Sequence, residues 1–470
     1  MYVETDRNLY RFFVAVVAFT LVFPKAGNTV NGIPLTVANM FLGILILWVI
    51  SRRIRLKTPI ADRVYLLYTC LILLVPWVFS AGNIIAYVKI VMPLFVSLTV
   101  YYWVKPITQA LVSGRRRLDI LVRVMAVSVI IIAIYGFIQK LFGHYDTIIP
   151  GLTMSFSDSV IPDIFYQKKN LVGVPGFSEN VHKVTSTYQN GNLFGTILVM
   201  LMFPVTAAFL YAQDWNDKIL YGTAVVLVFA LVPFTLARSV LFGALVGVGI
   251  FFLMQRNKRN KIIIACLVLL MGFMILPSPF MRARMIMTFF DPSMNGRIQR
   301  MDTVSTLVSE SISPLGADGN NSIIEKENVV EKMNGTGIKT ENLLWLTRLF
   351  GFGFVGDETK KITSFWDLYT ENMYFTTCVF TGLAGMLLFV LVIGRSLYIL
   401  SKYLRNGFIR MDFLSSLAAG IFCSLVAFLC QAFIEGPLSL PPTGFVLWFL
   451  AGLGHSVVGL EFETIGFERI

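Results

Sequence analysis

Residues 219–254 read ILYGTAVVLVFALVPFTLARSVLFGALVGVGIFFLM. Arg238 is the only charged residue between Lys218 and Arg256, so the stretch is apolar on both sides of one arginine. A helix needs about 20 predominantly apolar residues to cross the hydrocarbon core of a bilayer. The stretch therefore predicts two membrane-spanning helices joined by a short turn that carries Arg238, and the expected fold class is all-α membrane.

Arg238 has two interpretations. A long cationic side chain at a helix end can extend to the membrane surface and keep its charge in water. Alternatively, Arg238 faces a polar cavity, because an unpaired guanidinium next to lipid is energetically costly. A planar guanidinium binds two phosphate oxygens at once and does not lose its proton in proteins. The second interpretation predicts a clamp for an anionic group.

The whole chain has the composition of a membrane protein. Its mean hydropathy is +0.73, and 56% of its 470 residues are hydrophobic while 14% are charged. The net charge of +12 does not indicate nucleic-acid binding, because most lysines and arginines lie in short connections between apolar runs. The five cysteines lie inside apolar runs without metal-ligand spacing, so we expect small buried side chains and no metal site. The sequence has no Walker A loop, HExxH or DxD motif, and no cofactor is predicted.

Hydropathy predicts about twelve helices in one membrane domain that covers residues 1–470. The predicted spans are 9–24, 33–50, 62–80, 84–104, 118–142, 192–213, 219–237, 239–254, 262–279, 372–394, 412–433 and 444–460. The first run has no small-residue cleavage site, so we expect it to be retained as a helix. No alternation of polar and apolar residues predicts strands.

The lysines and arginines between these spans set the expected orientation. Cationic clusters follow the second, fourth, eighth and tenth spans: Arg52, Arg53, Arg55 and Lys57; Lys105, Arg115, Arg116 and Arg117; Arg256, Lys258, Arg259 and Lys261; Arg395, Lys402, Arg405 and Arg410. Because cytoplasmic loops carry the excess of such residues, all four clusters and both termini are predicted to be cytoplasmic. Two long segments, 143–191 and 280–371, then lie on the extracytoplasmic face. The cytoplasmic half of the spans is expected to be nearly free of charge, which favours chemistry at the outer face over passage through the membrane.

Several polar stretches fall on the predicted outer face. Residues 180–192 contain Lys183 and Asn192 among amides and hydroxyls, which indicates either a turn with a helix cap or a rim that binds sugar or phosphate. A second stretch presents Arg297 on a turn, in a cluster with Arg282, Arg284 and Arg300. This cluster is either a solvated loop or a set of cations for an anionic lipid headgroup or pyrophosphate.

Glu371 begins the predicted tenth span. Its carboxylate either follows a cap at Thr370 and interacts favourably with the helix dipole, or acts as a general base at the membrane surface. In the last outer connection, Gln431 and Glu435 line a vestibule or simply end a helix.

The order of these stretches is similar to that of the O-antigen polymerase/ligase family. The matching pieces, in chain order, are Lys183 to Asn192 against "R-x-x-G-x-x-x-N-P-N", Phe234 to Ser239 against "T-x-S-R", Asn295-Gly296-Arg297 against "s-G-R", Leu349 to Gly353 against "G-x-G", and Glu371-Asn372-Met373-Tyr374 with Gly382 to Gly385 against "H-N-x-Y-l…G-l-x-G". The resemblance covers about residues 183–394. Each piece is weak alone, and their order and spacing carry the similarity.

The resemblance implies a metal-independent, GT-C-like membrane glycosyltransferase of about twelve helices that uses an undecaprenyl-pyrophosphate-linked glycan at the outer face of the bacterial cytoplasmic membrane. Arg238 and Arg297 would hold the pyrophosphate, and Glu371 would activate the acceptor hydroxyl. The further substrate-binding candidates are Lys183, Asn192, Arg282, Arg284, Arg300, Asn372 and Tyr374. A chain-length regulator and a flippase are the implied protein partners.

Three departures from the family pattern bear on the activity. Lys183 replaces an arginine, Gly191 replaces a proline, and Glu371 stands where the ligase pattern has histidine. The carboxylate favours a polymerase, which extends lipid-linked repeat units, over a ligase, which passes the finished glycan to another acceptor. The rival outside the enzyme class is a transporter or lipid-linked-glycan flippase, and a membrane scaffold would leave Arg238 unexplained.

Overall fold

The described part of the chain is helical apart from one short hairpin. The structure is a computed structural model that describes residues 7–30, 33–56, 58–79, 94–142, 149, 151–153, 184–188, 190–276, 372–407, 412–436 and 441–465. In the first part of the chain the elements are α1 (Arg7–Val22), β1 (Gly27–Val30), β2 (Ile33–Thr36), α2 (Val37–Ser51), α3 (Ile60–Phe79), a π turn (Val96–Val100), a 3₁₀ turn (Tyr101–Trp103), α4 (Val104–Leu111) and α5 (Arg115–Phe142). The later elements are α6 (Gly191–Tyr211), α7 (Trp215–Leu231), a 3₁₀ turn (Val232–Thr235), α8 (Arg238–Met254), α9 (Lys258–Ile275), α10 (Met373–Gly407), α11 (Phe413–Ala432) and α12 (Pro441–Ile465).

Six helical segments of the described chain are long and apolar enough to cross a membrane. They are Arg115–Phe142, Gly191–Tyr211, Trp215–Thr235, Phe380–Arg405, Phe413–Ala432 and Pro442–Leu460. Two shorter apolar helices, α2 and α8, accompany them. The expectation of a helical membrane protein is therefore confirmed in this coarser form, and the number of twelve spans stays a prediction.

The structure corrects the start of the second predicted span. Residues 33–36, which hydropathy assigned to a helix, form strand β2 and pair antiparallel with β1. The helix starts after Thr36, whose side-chain oxygen accepts a hydrogen bond from the Asn39 N–H at 3.2 Å. A hydroxyl in this position satisfies one of the N–H groups that have no partner within the helix. Hydropathy cannot separate a short apolar strand from an apolar helix, which explains the error.

Large apolar side chains on the outer surfaces of the helices suit contact with lipid. Leu47, Leu141, Leu253 and Leu269 are each exposed over two thirds or more of their surface. Exposed apolar area on this scale marks a surface that another apolar phase covers. Several hydroxyl groups inside the bundle are satisfied within their own helix, as where Thr206 donates to the Met202 carbonyl at 2.7 Å. Local pairing of this kind removes the need for water in the hydrocarbon region.

Helix α6 is the central helix of the bundle and packs closely against α11. All of its residues from Leu193 to Ala208 are buried. The Ser424 hydroxyl of α11 donates to the Met200 carbonyl of α6 at 2.6 Å. A methyl group built on Gly420 would lie 2.7 Å from the Phe203 carbonyl oxygen. The two backbones can approach this closely because position 420 has no side chain.

We expect Gly420→Ala to lower the free energy of unfolding by about 1–3 kcal/mol, the usual cost of overpacking a close contact. The new methyl group would meet backbone atoms, which cannot move aside as a flexible side chain can. Unfolding of the purified protein in mixed micelles measures the change. Gly249→Ala in α8 is the matched control, because nothing lies within 4 Å of its added methyl group. Equal stability of the two variants would contradict the close contact.

Helix α10 contains a break at Gly382, which has φ 69° and ψ 174°. This positive φ is readily adopted only by glycine. The break releases the Thr381 carbonyl from the helical pattern, and the Tyr68 hydroxyl of α3 donates to it at 2.8 Å. The helix axis is therefore kinked at Gly382. The kink lies between the short first part of α10 and the long apolar part that follows.

The cation-rich helix ends lie together at one end of the bundle. The Arg115 guanidinium at the start of α5 lies 3.9 Å from the centre of the Phe413 ring at the start of α11. Arg117 lies over the Tyr10 ring near the start of α1, and Arg123 pairs with Asp217 in the first turn of α7 at 2.9 Å. Since α6 and α8 begin at the other end, the bundle has a cationic end and an opposite end that carries Arg238.

Candidate functional site

A strained turn positions Arg238. After the 3₁₀ turn, Leu236 adopts φ 53° and ψ 23°, a left-handed conformation that is unusual for a residue with a side chain. Ala237 is extended, and α8 begins at Arg238, as the position of the charge predicted. Backbone strain of this kind costs about 1–3 kcal/mol and is concentrated at functional sites. The Arg238 side chain is half-buried.

The segment before α6 lies against this turn. The Val184 N–H donates to the Phe234 carbonyl at 3.2 Å. Ser186 also has a positive φ, 51°, and its N–H donates to the Gln139 amide oxygen of α5 at 2.7 Å. Asn190 caps α6 by accepting from the Leu193 N–H at 2.8 Å. The helix cap predicted for this stretch is therefore confirmed, and the first two family-like stretches are in direct contact.

Glu435 joins the starts of α6 and α8 to the end of α11. The Asn192 side-chain amide donates to Glu435 Oε1, and the Ser239 hydroxyl donates to Glu435 Oε2. Each carboxylate oxygen therefore accepts from a different helix. Ser239 directly follows Arg238, so the carboxylate lies beside the helix start that carries the arginine. Charged hydrogen bonds of this type are stronger than those between neutral groups.

A second polar layer lies one helical turn further into the bundle. Gln431 is 1% exposed, and within the described part of the chain neither atom of its side-chain amide has a hydrogen-bond partner. It packs against Gly243 of α8, where an added methyl group would lie 2.5 Å from Gln431 Cγ. Leaving a buried polar group unsatisfied costs about 1–3 kcal/mol. The interface between α8 and α11 thus contains an amide that has no partner among the described residues, just beneath the carboxylate.

The start of α10 lies beside the same end of α11. The Asn372 side-chain amide donates to the Phe433 carbonyl at 3.0 Å, and the Tyr374 hydroxyl donates to the Leu429 carbonyl at 3.1 Å. The Tyr374 and Phe433 rings are in contact, with centroids 4.6 Å apart. Phe433 is 64% exposed, so this end of the bundle presents an aromatic surface next to the polar one.

The structure therefore brings together Arg238, Asn192, Asn372 and Tyr374 among the residues predicted for the site. The remaining predicted residues lie outside the described part of the chain: Lys183, Arg282, Arg284, Arg297, Arg300 and Glu371. The segment 280–371, predicted to be extracytoplasmic, is also outside it, and so is most of 143–191.

The sequence did not predict the contacts of Glu435 with α6 and α8. Glu435 was expected to line a vestibule or to end a helix, with no closer role. A carboxylate directly after a long apolar span was the available signal, because such a charge near lipid needs partners. Asn192 and Ser239, its two partners, are 243 and 196 residues away in sequence. No local pattern could identify them.

The opposite half of the bundle contains a buried ion pair that contradicts two expectations. Lys105 was assigned to a cationic loop, but α4 continues past it, and the side chain is 2% exposed. Its ammonium group lies 2.7 Å from Asp62 Oδ2 of α3, which is 1% exposed, and the Tyr102 hydroxyl donates to the same oxygen at 2.8 Å. The half of the bundle that was predicted to be cytoplasmic, and nearly free of charge, therefore contains a buried ion pair. Lys105 tolerates burial because Asp62 pairs with it.

Two further polar groups belong to this buried cluster. His455 of α12 is hydrogen-bonded through Nδ1 to the Gln109 side-chain amide of α4. Its Nε2 and Asp62 Oδ1 are buried without a partner in the described part of the chain. His455 lies 14 residues after the start of α12, about 20 Å along the helix. The cluster is therefore well separated from the Glu435 end of the bundle.

The five cysteines differ in how far they are exposed. Cys423 is buried as expected, but Cys266 is exposed and Cys70, Cys378 and Cys430 are partly exposed. Cys266 lies on α9, where an apolar helix surface faces outward, and a small apolar side chain suits such a surface as well as a protein interior.

The chain matches no protein-family model and no curated protein.

Proposed function

We propose that this chain is a membrane glycosyltransferase that polymerises undecaprenyl-pyrophosphate-linked oligosaccharide repeat units into a surface polysaccharide. One observation supports this proposal above the others: the strained turn with Arg238, the start of α6 with Asn192, and Glu435 meet at one end of the bundle. A fixed cation and a fixed carboxylate at a membrane surface are the groups that transfer from a pyrophosphate-linked donor requires.

The proposed topology has about twelve spans, with both termini cytoplasmic and the Glu435 end at the outer face of the bacterial cytoplasmic membrane. The cation-rich ends of α5, α8 and α10 lie at the other end of the bundle, which suits a cytoplasmic location. The segments 143–191 and 280–371 would then cover the site from outside. Donor and acceptor would both reach it as lipid-linked glycans, supplied by a flippase and limited in length by a regulator.

In the proposed reaction the acceptor hydroxyl attacks the anomeric carbon of the donor sugar. The bond from that carbon to the pyrophosphate oxygen breaks, and its electron pair leaves with the pyrophosphate. Guanidinium groups at Arg238 and Arg297 would stabilise the charge that accumulates on the leaving oxygens. A carboxylate would accept the proton of the hydroxyl, and the resemblance implies Glu371 for this role. A single displacement inverts the anomeric configuration, and no step needs a metal ion.

Purified protein in liposomes, given only the lipid-linked repeat unit, tests the proposal. A polymerase produces a ladder of longer lipid-linked glycans, which gel electrophoresis resolves. If glycan is transferred only after a core lipid or protein acceptor is added, the protein is a ligase or a related oligosaccharyltransferase instead. If no glycan is transferred to any acceptor, the enzyme proposal is wrong.

The buried cluster around Asp62 and Lys105 favours a second candidate, a transporter or lipid-linked-glycan flippase. Ionisable groups inside a membrane mark substrate or ion pathways in many transporters. Movement of a fluorescent lipid-linked glycan between the leaflets of protein-containing liposomes tests this candidate. Flipping that requires Lys105, in the absence of glycan transfer, would replace the polymerase proposal.

A further inference from the structure

We propose that Glu435 is the general base of the site and that it takes the proton from the acceptor hydroxyl. This inference rests on the proposed glycosyl transfer and assigns its base to a different carboxylate from Glu371. It is carried by the position of Glu435, by the two groups that orient it, and by the Gln431 amide beneath it, which has no partner among the described residues.

The backbone at Glu435 is fixed by the end of α11. The N–H groups of Ile434 and Glu435 both donate to the Gln431 carbonyl at 2.9 Å. The side chain therefore leaves the last turn of a buried helix, on a backbone that two hydrogen bonds hold in place. A catalytic group on such a rigid element keeps its position during the reaction.

The carboxylate itself is oriented by two donors from other helices. Asn192 donates to one oxygen and Ser239 to the other, and the Ser239 side chain is almost fully buried. A carboxylate offers about four acceptor positions, so it can accept from a substrate hydroxyl as well as from the groups that orient it. Because a donor on each side holds the carboxylate in place, the side chain has to move less when it accepts the proton.

The location also suits the charges of the reaction. Ser239 directly follows Arg238, the proposed pyrophosphate ligand, and donates to Glu435, so the base lies beside the helix start that carries the cation. The base acts on the acceptor while the cation acts on the leaving group. Glu435 does not bind the pyrophosphate of the donor, since the two negative charges repel each other. Its role is therefore on the acceptor side.

Gln431 provides an independent sign that a polar ligand enters here. Its amide lies in the last turn of α11, four residues before Glu435, and is 1% exposed and without a protein partner in the described residues. The amide can both donate and accept. A sugar hydroxyl, or a water molecule that accompanies it, would satisfy the amide while a neighbouring hydroxyl binds Glu435. The acceptor is therefore a polyhydroxylated glycan end.

The proposed step is balanced. As the acceptor oxygen bonds to the anomeric carbon, its proton passes to a Glu435 oxygen. The bond between that carbon and the pyrophosphate oxygen breaks with its electron pair on the pyrophosphate. Glu435 ends the step as a neutral acid and returns its proton to water.

Transfer rates of wild type and Glu435→Gln, measured in liposomes from about pH 4 to about pH 8, test the assignment, since carboxylates ionise near the lower limit. We expect Glu435→Gln to lower transfer by about 100-fold or more and to remove the fall in rate at acidic pH. Binding of the lipid-linked donor should be retained. The glutamine keeps the size of the side chain and can still bond to Asn192 and Ser239, so the loss reports the missing base.

Three further variants complete the test. Glu435→Asp should retain part of the activity and the acidic fall in rate. Asn192→Ala should reduce the rate by about 10-fold, because it removes one orienting bond, and it should keep the pH dependence. Glu371→Gln should leave the acidic fall in place.

Transfer by Glu435→Gln within about 3-fold of wild type, far less than the loss expected for a general base, would overturn the assignment. An acidic fall that persists in this variant, or that disappears in Glu371→Gln instead, would also do so. If Glu435→Gln does not fold, the pH dependence of transfer by Glu435→Asp and by Glu371→Gln decides which of the two carboxylates is the base. Failure of the proposed function is separate, because wild-type protein would then produce no transfer at any pH.

Discussion

Arg238→Lys should reduce glycan transfer by about 100-fold or more while the protein stays inserted and folded. Removing one fixed donor from a site that stabilises developing negative charge commonly costs about 100- to 1,000-fold in rate. Lysine keeps the positive charge, but it cannot make the two parallel hydrogen bonds that a guanidinium makes to phosphate oxygens. The rate of ladder formation from a lipid-linked repeat unit measures the effect.

The matched control is Arg123→Lys. Arg123 is exposed and pairs with Asp217 at 2.9 Å at the cationic end of the bundle. Exposed ion pairs contribute about 1 kcal/mol or less, so this change should leave transfer and stability nearly unaltered. Full activity of Arg238→Lys would remove Arg238 from the mechanism and favour the interpretation of a side chain that only reaches the membrane surface.

Lys105→Met should have the largest effect on stability, a loss of about 3–5 kcal/mol in the free energy of unfolding. The change leaves the Asp62 carboxylate buried without its cation, at a site where Asp62 is 1% exposed. Unfolding in mixed micelles of detergent and sodium dodecyl sulfate measures the loss.

Two variants separate the lost ion pair from other consequences of the substitution. In Asp62→Asn/Lys105→Met both charges of the ion pair are removed, and the asparagine oxygen can still accept from Tyr102. This double variant should recover most of the lost stability. Lys402→Met, an exposed lysine of α10, should change stability by less than about 0.5 kcal/mol. If the double variant is as unstable as Lys105→Met, the ion pair is not the cause.

The helices were predictable because each apolar run is a local property. The position of Arg238 at the start of α8 followed from one charge inside a long apolar stretch, and the cap of α6 followed from polar residues just before one. Gly382 shows the limit of local patterns. Its φ of 69° breaks α10, although hydropathy predicts continuous helix through it.

Contacts between distant parts of the chain could not be predicted in the same way. Lys105 looked like a loop residue, because its partner Asp62 lies 43 positions earlier, inside another apolar run. The partners of Glu435 are likewise visible only in the folded structure, where α6 and α8 begin beside it. A charged residue near a span has several possible environments, and tertiary packing alone decides among them.

The burial of α6 also constrains the order in which the protein can assemble. Helix α6 is apolar enough to enter the membrane as soon as it is made, but its main partner, α11, begins 202 residues after α6 ends. At a synthesis rate of about 5–20 residues per second, α6 waits roughly 10–40 seconds in the lipid before α11 is available. Asn192 at its start stays without Glu435 for the same interval. The candidate site therefore forms among the last contacts of the nascent chain, and a chain that stops before residue 435 lacks it altogether.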